Sequence, residues 1–403
     1  MALAQAADLE SAAAEDRAAV VFEEFPLTGC VVAVTADRRR ADLAALLRRR
    51  GARVVESPTL RLTPLDDDAV LRKATAECLA APVDFAVATT GSGWRGWMSA
   101  AESWGLGEAL GRALSQAVIV SRGPKVTGVL RAAGLRESYS AVSESCDELL
   151  AYLVDRGVSG RRVVFQQYGM ENPAEDSRVV AALRAAGAEV VEVPVYRWGP
   201  PADRAAVRRL VESIVRREVH AVTFTSAPGV TALLEAAALT GSLDNLLAAL
   251  RTEVAAVCVG PVCARPLEAL DVRTLWPERA RLAAMVGALC DTLPPRLRRE
   301  VPIDAGRKLI LQGLAVAAGG EPVILAPLPA AVLAELARRP GWVVSRADLL
   351  RRVWGPRGAG TGGRDEHAVE ATVARLRAAL GPDAKLIKTV TKRGYRLEVD
   401  PRA

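Results

Sequence analysis

VVSRADLLRRVWG (Val343–Gly355), RDEHAVEATVARLRAALG (Arg364–Gly381) and KLIKTVTKRGYRLEV (Lys385–Val399) carry the clearest structural pattern in the chain. The first segment opens on Ser345 with Asp348 three residues later, the spacing of a helix N-cap and its partner. The second places Val369, Val373, Leu376 and Leu380 at i, i+4, i+7 and i+11, one apolar stripe of a helix. His367, Thr372 and Arg375 are expected on its other face. The third alternates as a strand, turns at Lys392-Arg393-Gly394 and alternates again through Tyr395 and Leu397, which predicts a hairpin with a basic tip. Short helix, glycine-rich loop, long helix and basic hairpin suit double-stranded DNA. The long helix fits the major groove while the hairpin reaches a neighbouring groove or phosphates.

Four separate signatures, Ser345-Arg346, Val353-Trp354-Gly355, Arg375-Leu376-Arg377 and Gly394-Tyr395-Arg396, resemble the winged-helix DNA-binding domain of the OmpR/PhoB response-regulator family, from about Leu309 to Val399. The resemblance implies DNA-facing positions at His367, Thr372, Arg375 and Arg377, with Arg375 suited to a bidentate guanine contact and Arg377 to a phosphate. Arg346, Thr391, Lys392 and Arg393 are implied to meet phosphates or the minor groove. A homodimer on paired half-sites is implied as well, and a contact from the loop Gly358–Gly363 to RNA polymerase, with a second regulator as a further candidate partner of the protein. Ala371, Ala374 and Ala378 stand where the family more often has arginines, so few base contacts are expected per monomer. A phosphorylated receiver usually precedes this domain. It would need paired acids after its first strand and an Asp ending a central strand. Here Ala36-Asp37-Arg38 follows the first strand and Asp84 precedes its strand, so no receiver is expected.

The charge distribution agrees with a basic C-terminal module. From Val301 onward there are 17 Lys and Arg against 10 Asp and Glu, a balance of +7. The whole chain of 403 residues carries +6, which leaves −1 on residues 1–300. Phosphate attraction therefore belongs to the C-terminal part. Six cysteines without a C-x-x-C pair and only two histidines, His220 and His367, predict buried thiols and neither a metal site nor a metal cofactor. No apolar run approaches the roughly 20 residues that span a bilayer, and the acidic N-terminus is unlike a secretory signal, so a cytoplasmic protein is expected. The length predicts more than one domain. Residues 1–25 read as a flexible Ala-rich extension, 26–292 as a two-lobed domain, 293–304 (overlapping the Pro- and Arg-rich TLPPRLRREVP) as a linker, and 305–403 as the DNA-binding domain.

The upstream part is internally duplicated. GCVVAVTADRRRADLAALLRRRGARVVESPTLR (Gly29–Arg61) matches GRRVVFQQYGMENPAEDSRVVAALRAAGAEVVEVPVYRW (Gly160–Trp198). VDFAVATTGSGWRGWMSAA matches VHAVTFTSAPGVTALLEAA, and AVIVSRGPKVTGVLRAAGL matches AAVCVGPVCARPLEALDV. Short buried strands alternating with helices predict an α/β fold of two Rossmann-like lobes of parallel sheet, facing each other across a cleft, with ligands at the strands' carboxyl ends. This pattern, from about Leu27 to Leu293, resembles uroporphyrinogen-III synthase, a cofactor-free enzyme of tetrapyrrole synthesis. The resemblance implies lobe one over about 27–60 and 197–292, and lobe two over about 62–195.

From that family Tyr196, at the second crossing between lobes, is implied as the group assisting loss of water from a linear tetrapyrrole. Thr35, Arg38, Thr90, Ser92, Arg122, Lys125, Thr225, Ser226 and Gly260 are the expected ligand-facing residues, hydroxyls and backbone amides at helix starts with cations around them. Val262 and Cys263 replace the hydroxyl residues usual after Gly260-Pro261. That departure favours a sensing module over a working cyclase, and both readings stay open at this point. Gly91-Ser-Gly-Trp-Arg-Gly96 also fits a dinucleotide fingerprint, but its counterpart Thr225-Ser-Ala-Pro-Gly229 does not, so a tight strand-to-helix turn is expected. The whole resembles bacterial regulators that pair these two domains, some of them linked to nitrate and nitrite assimilation.

Overall fold

A computed structural model describes residues 17–64, 69–167, 173–303, 307–355 and 364–399. The strands follow in chain order as β1 (Val31–Val34), β2 (Arg53–Glu56), β3 (Arg61–Pro64), β4 (Phe85–Ala88), β5 (Val118–Ser121), β6 (Glu137–Ser140), β7 (Arg162–Gln166), β8 (Glu189–Val193), β9 (Tyr196–Gly199), β10 (Ala221–Phe224), β11 (Ala255–Cys258) and β12 (Thr274–Leu275). The C-terminal part adds β13 (Arg298–Pro302), β14 (Lys308–Gln312), β15 (Ala315–Ala317), β16 (Val323–Ile324), β17 (Ile387–Val390) and β18 (Gly394–Leu397).

Two five-stranded parallel sheets form, in the orders β12-β11-β10-β1-β2 and β6-β5-β4-β7-β8. The orders are identical once repeats are matched, β10 with β4 and β1 with β7. Each sheet therefore takes the opening strand pair of one repeat and the later strands of the other. The central strands VVAV, FAVA, RVVFQ, AVTF and AAVC are buried along their whole length, as strands covered by helices on both faces must be. β3 and β9 pair antiparallel with Pro64 opposite Tyr196. One compact unit comprises residues up to Thr59 together with Asp203 onward, and the other comprises Leu60–Ala202.

Residues 293–302 of the stretch expected to be a linker are folded. The helix Leu282–Leu297 runs through Pro294 and Pro295, and β13 starts at the next residue. Buried Met285, Val286, Leu289 and Leu293 form an apolar stripe that holds the helix despite the N–H groups the prolines lack. β13 then pairs with β14 over five residues, opening an antiparallel sheet β13-β14-β15-β16. The N-terminal expectation changes as well. Residues 17–24 are helical, and Ala18 and Phe22 are buried against Ala315 and Ala317. The Arg298 guanidinium lies 4.7 Å from the Phe22 ring centroid.

This sheet is joined closely to the β1 lobe. The Gln312 side-chain amide donates to the carbonyls of Pro26 and Thr28, both at 2.9 Å, and Leu314 N donates to Gly29 O at 2.8 Å. Gly29 has φ 79, and a Cβ there would lie 2.2 Å from Gln312 O, so the seam requires glycine. One continuous apolar core runs from Val31 and Val222 through Val301 and Leu309 to Val369, Leu376 and Leu397.

Candidate nucleic-acid interface and strand-end turns

In the C-terminal module Ser345 caps its helix as its spacing predicts. Its Oγ accepts from Asp348 N at 3.0 Å and donates to Asp348 Oδ2 at 2.7 Å, and that hydroxyl holds the Asp348 carboxyl below the usual range. The helix Arg346–Leu349 continues as a wider turn through Trp354. The long helix Arg364–Leu380 buries Val369, Val373, Leu376 and Leu380, each worth about 1.5–3 kcal/mol on burial. Its solvent face carries His367, Glu370, Ala371, Ala374, Arg375 and Ala378. β17 and β18 close with Val390 opposite Gly394, leaving Thr391, Lys392 and Arg393 exposed at the tip.

Three of the residues expected to face DNA are otherwise engaged. Thr372 is 2% exposed and donates to Ala368 O, because it falls beside Val369 and Val373 on the buried stripe. Arg377 Nη2 donates to Ile387 O at 2.6 Å and to Thr389 Oγ1 at 2.8 Å, while its Nε shares Ile387 O. Arg346 lies 3.3 Å from Glu370 Oε1 and 5.3 Å from the Tyr395 ring centroid, its side chain 20% exposed. His367 is exposed, 3.5 Å from Glu370. Arg375 is exposed with no side-chain hydrogen bond or ion pair among the described residues, as are Lys392 and Arg393. Lys388 on β17 is exposed too and was not singled out from the sequence. Its place in an alternating strand was the signal for it. The loop Gly358–Gly363 lies outside the described residues.

At the strand ends of the β1 lobe, Thr35 is buried. Its hydroxyl donates to Thr223 O at 2.8 Å, which corrects its expected ligand-facing role. Ser226 Oγ accepts from Gly229 N and caps the helix Ala227–Leu239. Gly260 precedes the helix Pro261–Glu268, whose Cys263 is buried. Thr225 is half-buried and Arg38 exposed.

In the β4 lobe, Thr90 caps the helix Gly91–Ser103 by accepting from Gly93 N, and also accepts from Gln166 Nε2 at 2.9 Å. Gln166 Oε1 takes the Thr89 amide, so this buried glutamine ties two strand ends together. A Cβ on Gly93 would lie 2.4 Å from both Gln166 Nε2 and Val195 Cγ2. The second glycine of the fingerprint-like run thus serves side-chain packing. Ser92 and Arg122 are half-buried, and Lys125 lies 3.9 Å from Glu144. Tyr196 pairs through its backbone on β9, and its side chain lies outside the described residues.

These features define two parallel-sheet α/β lobes joined to a winged-helix DNA-binding domain. A family model described as uroporphyrinogen-III synthase HemD matches residues 41–287, and one described as transcriptional regulatory protein, C terminal, matches residues 320–397. The chain belongs to the uroporphyrinogen-III synthase HemD family and carries a C-terminal DNA-binding domain of the OmpR/PhoB type. A uroporphyrinogen III synthase of Thermus thermophilus is similar at 28% identity with TM-score 0.55, covering 66% of this chain and 99% of that one. The protein YjjA of Bacillus subtilis is 28% identical over 264 residues, 64% of this chain and 94% of that protein. The transcriptional regulatory protein CseB of Streptomyces avermitilis is 41% identical over 87 residues, 22% of this chain and 34% of that protein. Among the described residues no helix is long and apolar enough to cross a membrane.

Proposed function

We propose that this chain is a sequence-specific transcription regulator. Its HemD-like lobes act as a non-catalytic sensing or interaction module, and its targets are nitrate and nitrite assimilation genes. The observation that carries the reading is the exposed cationic set Arg375, Lys392 and Arg393 on a DNA-binding domain fused to one lobe without a linker. The ligand is of tetrapyrrole class, with Arg38, Thr225, Ser226 and the turn at Gly260 as its candidate contacts in one lobe and Thr90, Ser92, Arg122 and Lys125 as those in the other, each lobe taken by itself. Nitrite reduction uses sirohaem, which derives from the synthase's product, and this chemistry supports a tetrapyrrole-related signal. The buried Cys263, where the family has a hydroxyl residue, argues against turnover. Binding is by a homodimer, which offsets the few base contacts the alanine-rich helix offers, with RNA polymerase or a second regulator as further partner.

Genome-wide binding sites mapped with and without nitrate test this directly. Sites upstream of assimilation genes whose occupancy changes with nitrate are expected, and none there would refute the assignment. Arg375→Ala is expected to weaken selected sites about tenfold or more while sparing random duplex DNA. Lys392→Ala is expected to weaken both alike and flatten the salt dependence by about one unit of slope. Rescue of a synthase-deficient strain, weakened by Tyr196→Phe, would replace the sensor reading by an enzymatic one.

A further inference from the structure

A two-stranded hairpin of four-residue strands has little stability of its own. Its cationic tip can contribute to sequence reading only if its pose against the long helix is fixed. The apolar core holds its base through Ile387 and Leu397, and Val344 exchanges backbone hydrogen bonds with Tyr395 at 2.8 and 3.0 Å. From the long helix itself, the polar tie among the described residues is Arg377, with its grip on Ile387 O and Thr389 Oγ1. Its guanidinium lies 5.9 Å from the Tyr395 centroid, and that of Arg346 lies 5.3 Å from it. Arg346 is in turn 3.3 Å from Glu370 on the solvent face of the helix, and Glu370 is 3.5 Å from His367. Two cations over one 4%-exposed ring join the helix and the hairpin into one polar chain, from His367 to Thr389.

We propose that Arg377 and Arg346 are positioning residues for DNA reading. Clamped on Tyr395, they fix the distance between the bases met by Arg375 and the DNA segment met by Lys392 and Arg393. Sequence specificity then depends on two arginines that contact no base. This rests on the DNA-reading function proposed above. The planar fork of Arg377 is essential to the clamp, since Nε and Nη2 share one carbonyl while Nη2 also reaches a hydroxyl. A lysine keeps the charge but cannot reproduce that geometry.

The test uses the full chain, duplexes selected by the parent protein from a random library, and Arg377→Lys and Arg377→Met side by side. Both variants are expected to bind random duplex within about twofold of the parent. Both should lose about tenfold on the selected duplex, with the hydroxyl-radical footprint fading at the segment under the hairpin and persisting under the long helix. If Arg377→Lys matches the parent on selected DNA while Arg377→Met weakens selected and random DNA alike, Arg377 is a phosphate contact and the clamp is refuted. Should Arg377→Met fail to fold, Arg377→Lys with Arg346→Lys carries the test, and parental footprints from both overturn the proposal. A parent protein that selects no sequence refutes the DNA-reading function itself. A parent that selects one while the lysine variants read it normally refutes only the clamp.

Discussion

Asp84 and His220 occupy matching places in the two lobes, each immediately before its sheet's central strand, and they solve the same problem with different chemistry. Asp84 Oδ2 accepts the amide of Arg162 at 2.8 Å, and His220 Nδ1 accepts the amide of Val31 at 2.8 Å. The surrounding backbone bonds also correspond: Asp84 N to Arg162 O and His220 N to Val31 O, then Val118 N to Asp84 O and Ala255 N to His220 O. The Asp84 side chain is 33% exposed and pairs with Arg161, and the Arg162 amide is the main cause holding its carboxyl below the usual range. His220 is largely enclosed, with Gly313 of the DNA-binding sheet packed on it, and burial lowers it to about 4. A carboxylate suits the open position and a neutral ring the covered one.

Exchanging the acceptors attacks this difference most directly. His220→Asp places a carboxylate under the DNA-binding sheet without a cation, and is expected to cost about 3 kcal/mol or more in urea melts. A loss under 1 kcal/mol would mean that the seam admits water. Acid titration of the parent comes next. The unfolded ring ionises near 6.5 and the folded one near 4, so the unfolded chain binds more protons across that window. The His220 contribution is intact above about 6.5 and is lost as the pH falls toward 4, about 3 kcal/mol in all. His220→Asn should lower stability at pH 7 yet flatten that slope, and an unchanged slope would assign the acid sensitivity elsewhere.

The helix starts after β4 and β10 sharpen the comparison at smaller energies. Each is capped by a hydroxyl that accepts the amide of a glycine, Thr90 from Gly93 and Ser226 from Gly229. A Cβ would meet Gln166 and Val195 at 2.4 Å on Gly93, but Ser226 Oγ at 3.2 Å and Thr59 Oγ1 at 3.5 Å on Gly229. Gly93→Ala is therefore expected to cost about 1–3 kcal/mol and Gly229→Ala under about 1 kcal/mol, read as thermal shifts of the two variants. Asp84→Asn comes last, under about 1 kcal/mol, because its pair with Arg161 is solvent-screened. A larger loss would contradict the open setting described for that position.

Matched sequence pairs such as VDFAVATT and VHAVTFTS made the duplication legible, and with it the two parallel sheets. Period-2 and period-3.6 patterns made the hairpin and the long helix legible as well. Side-chain commitments were harder to foresee. Thr372 is polar in type, yet its neighbours on the helix turn it inward. Arg377 and Arg346 read as free cations because nothing local announces a carbonyl, a hydroxyl and a tyrosine ring brought from elsewhere in the chain. Gln166 and Gln312 are single amides at the ends of their strands, and nothing local announces the partners they meet. The misread linker has a similar cause. Prolines and arginines mark flexible segments by composition, whereas Met285, Val286, Leu289 and Leu293 carry the helix through them by packing over a longer span.

The unbroken passage from the helix Leu282–Leu297 into β13 also governs how the protein can be divided for experiment. A fragment begun at Ala305, where composition suggests a cut, would lack β13 and expose the edge of β14 with the apolar residues it covers, a template for aggregation. A fragment begun at Arg298 would keep that strand, but Gln312 would lose the carbonyls of Pro26 and Thr28 that satisfy its amide. The DNA-binding domain has no clean N-terminal end of its own, and its smallest well-satisfied form includes part of the lobe.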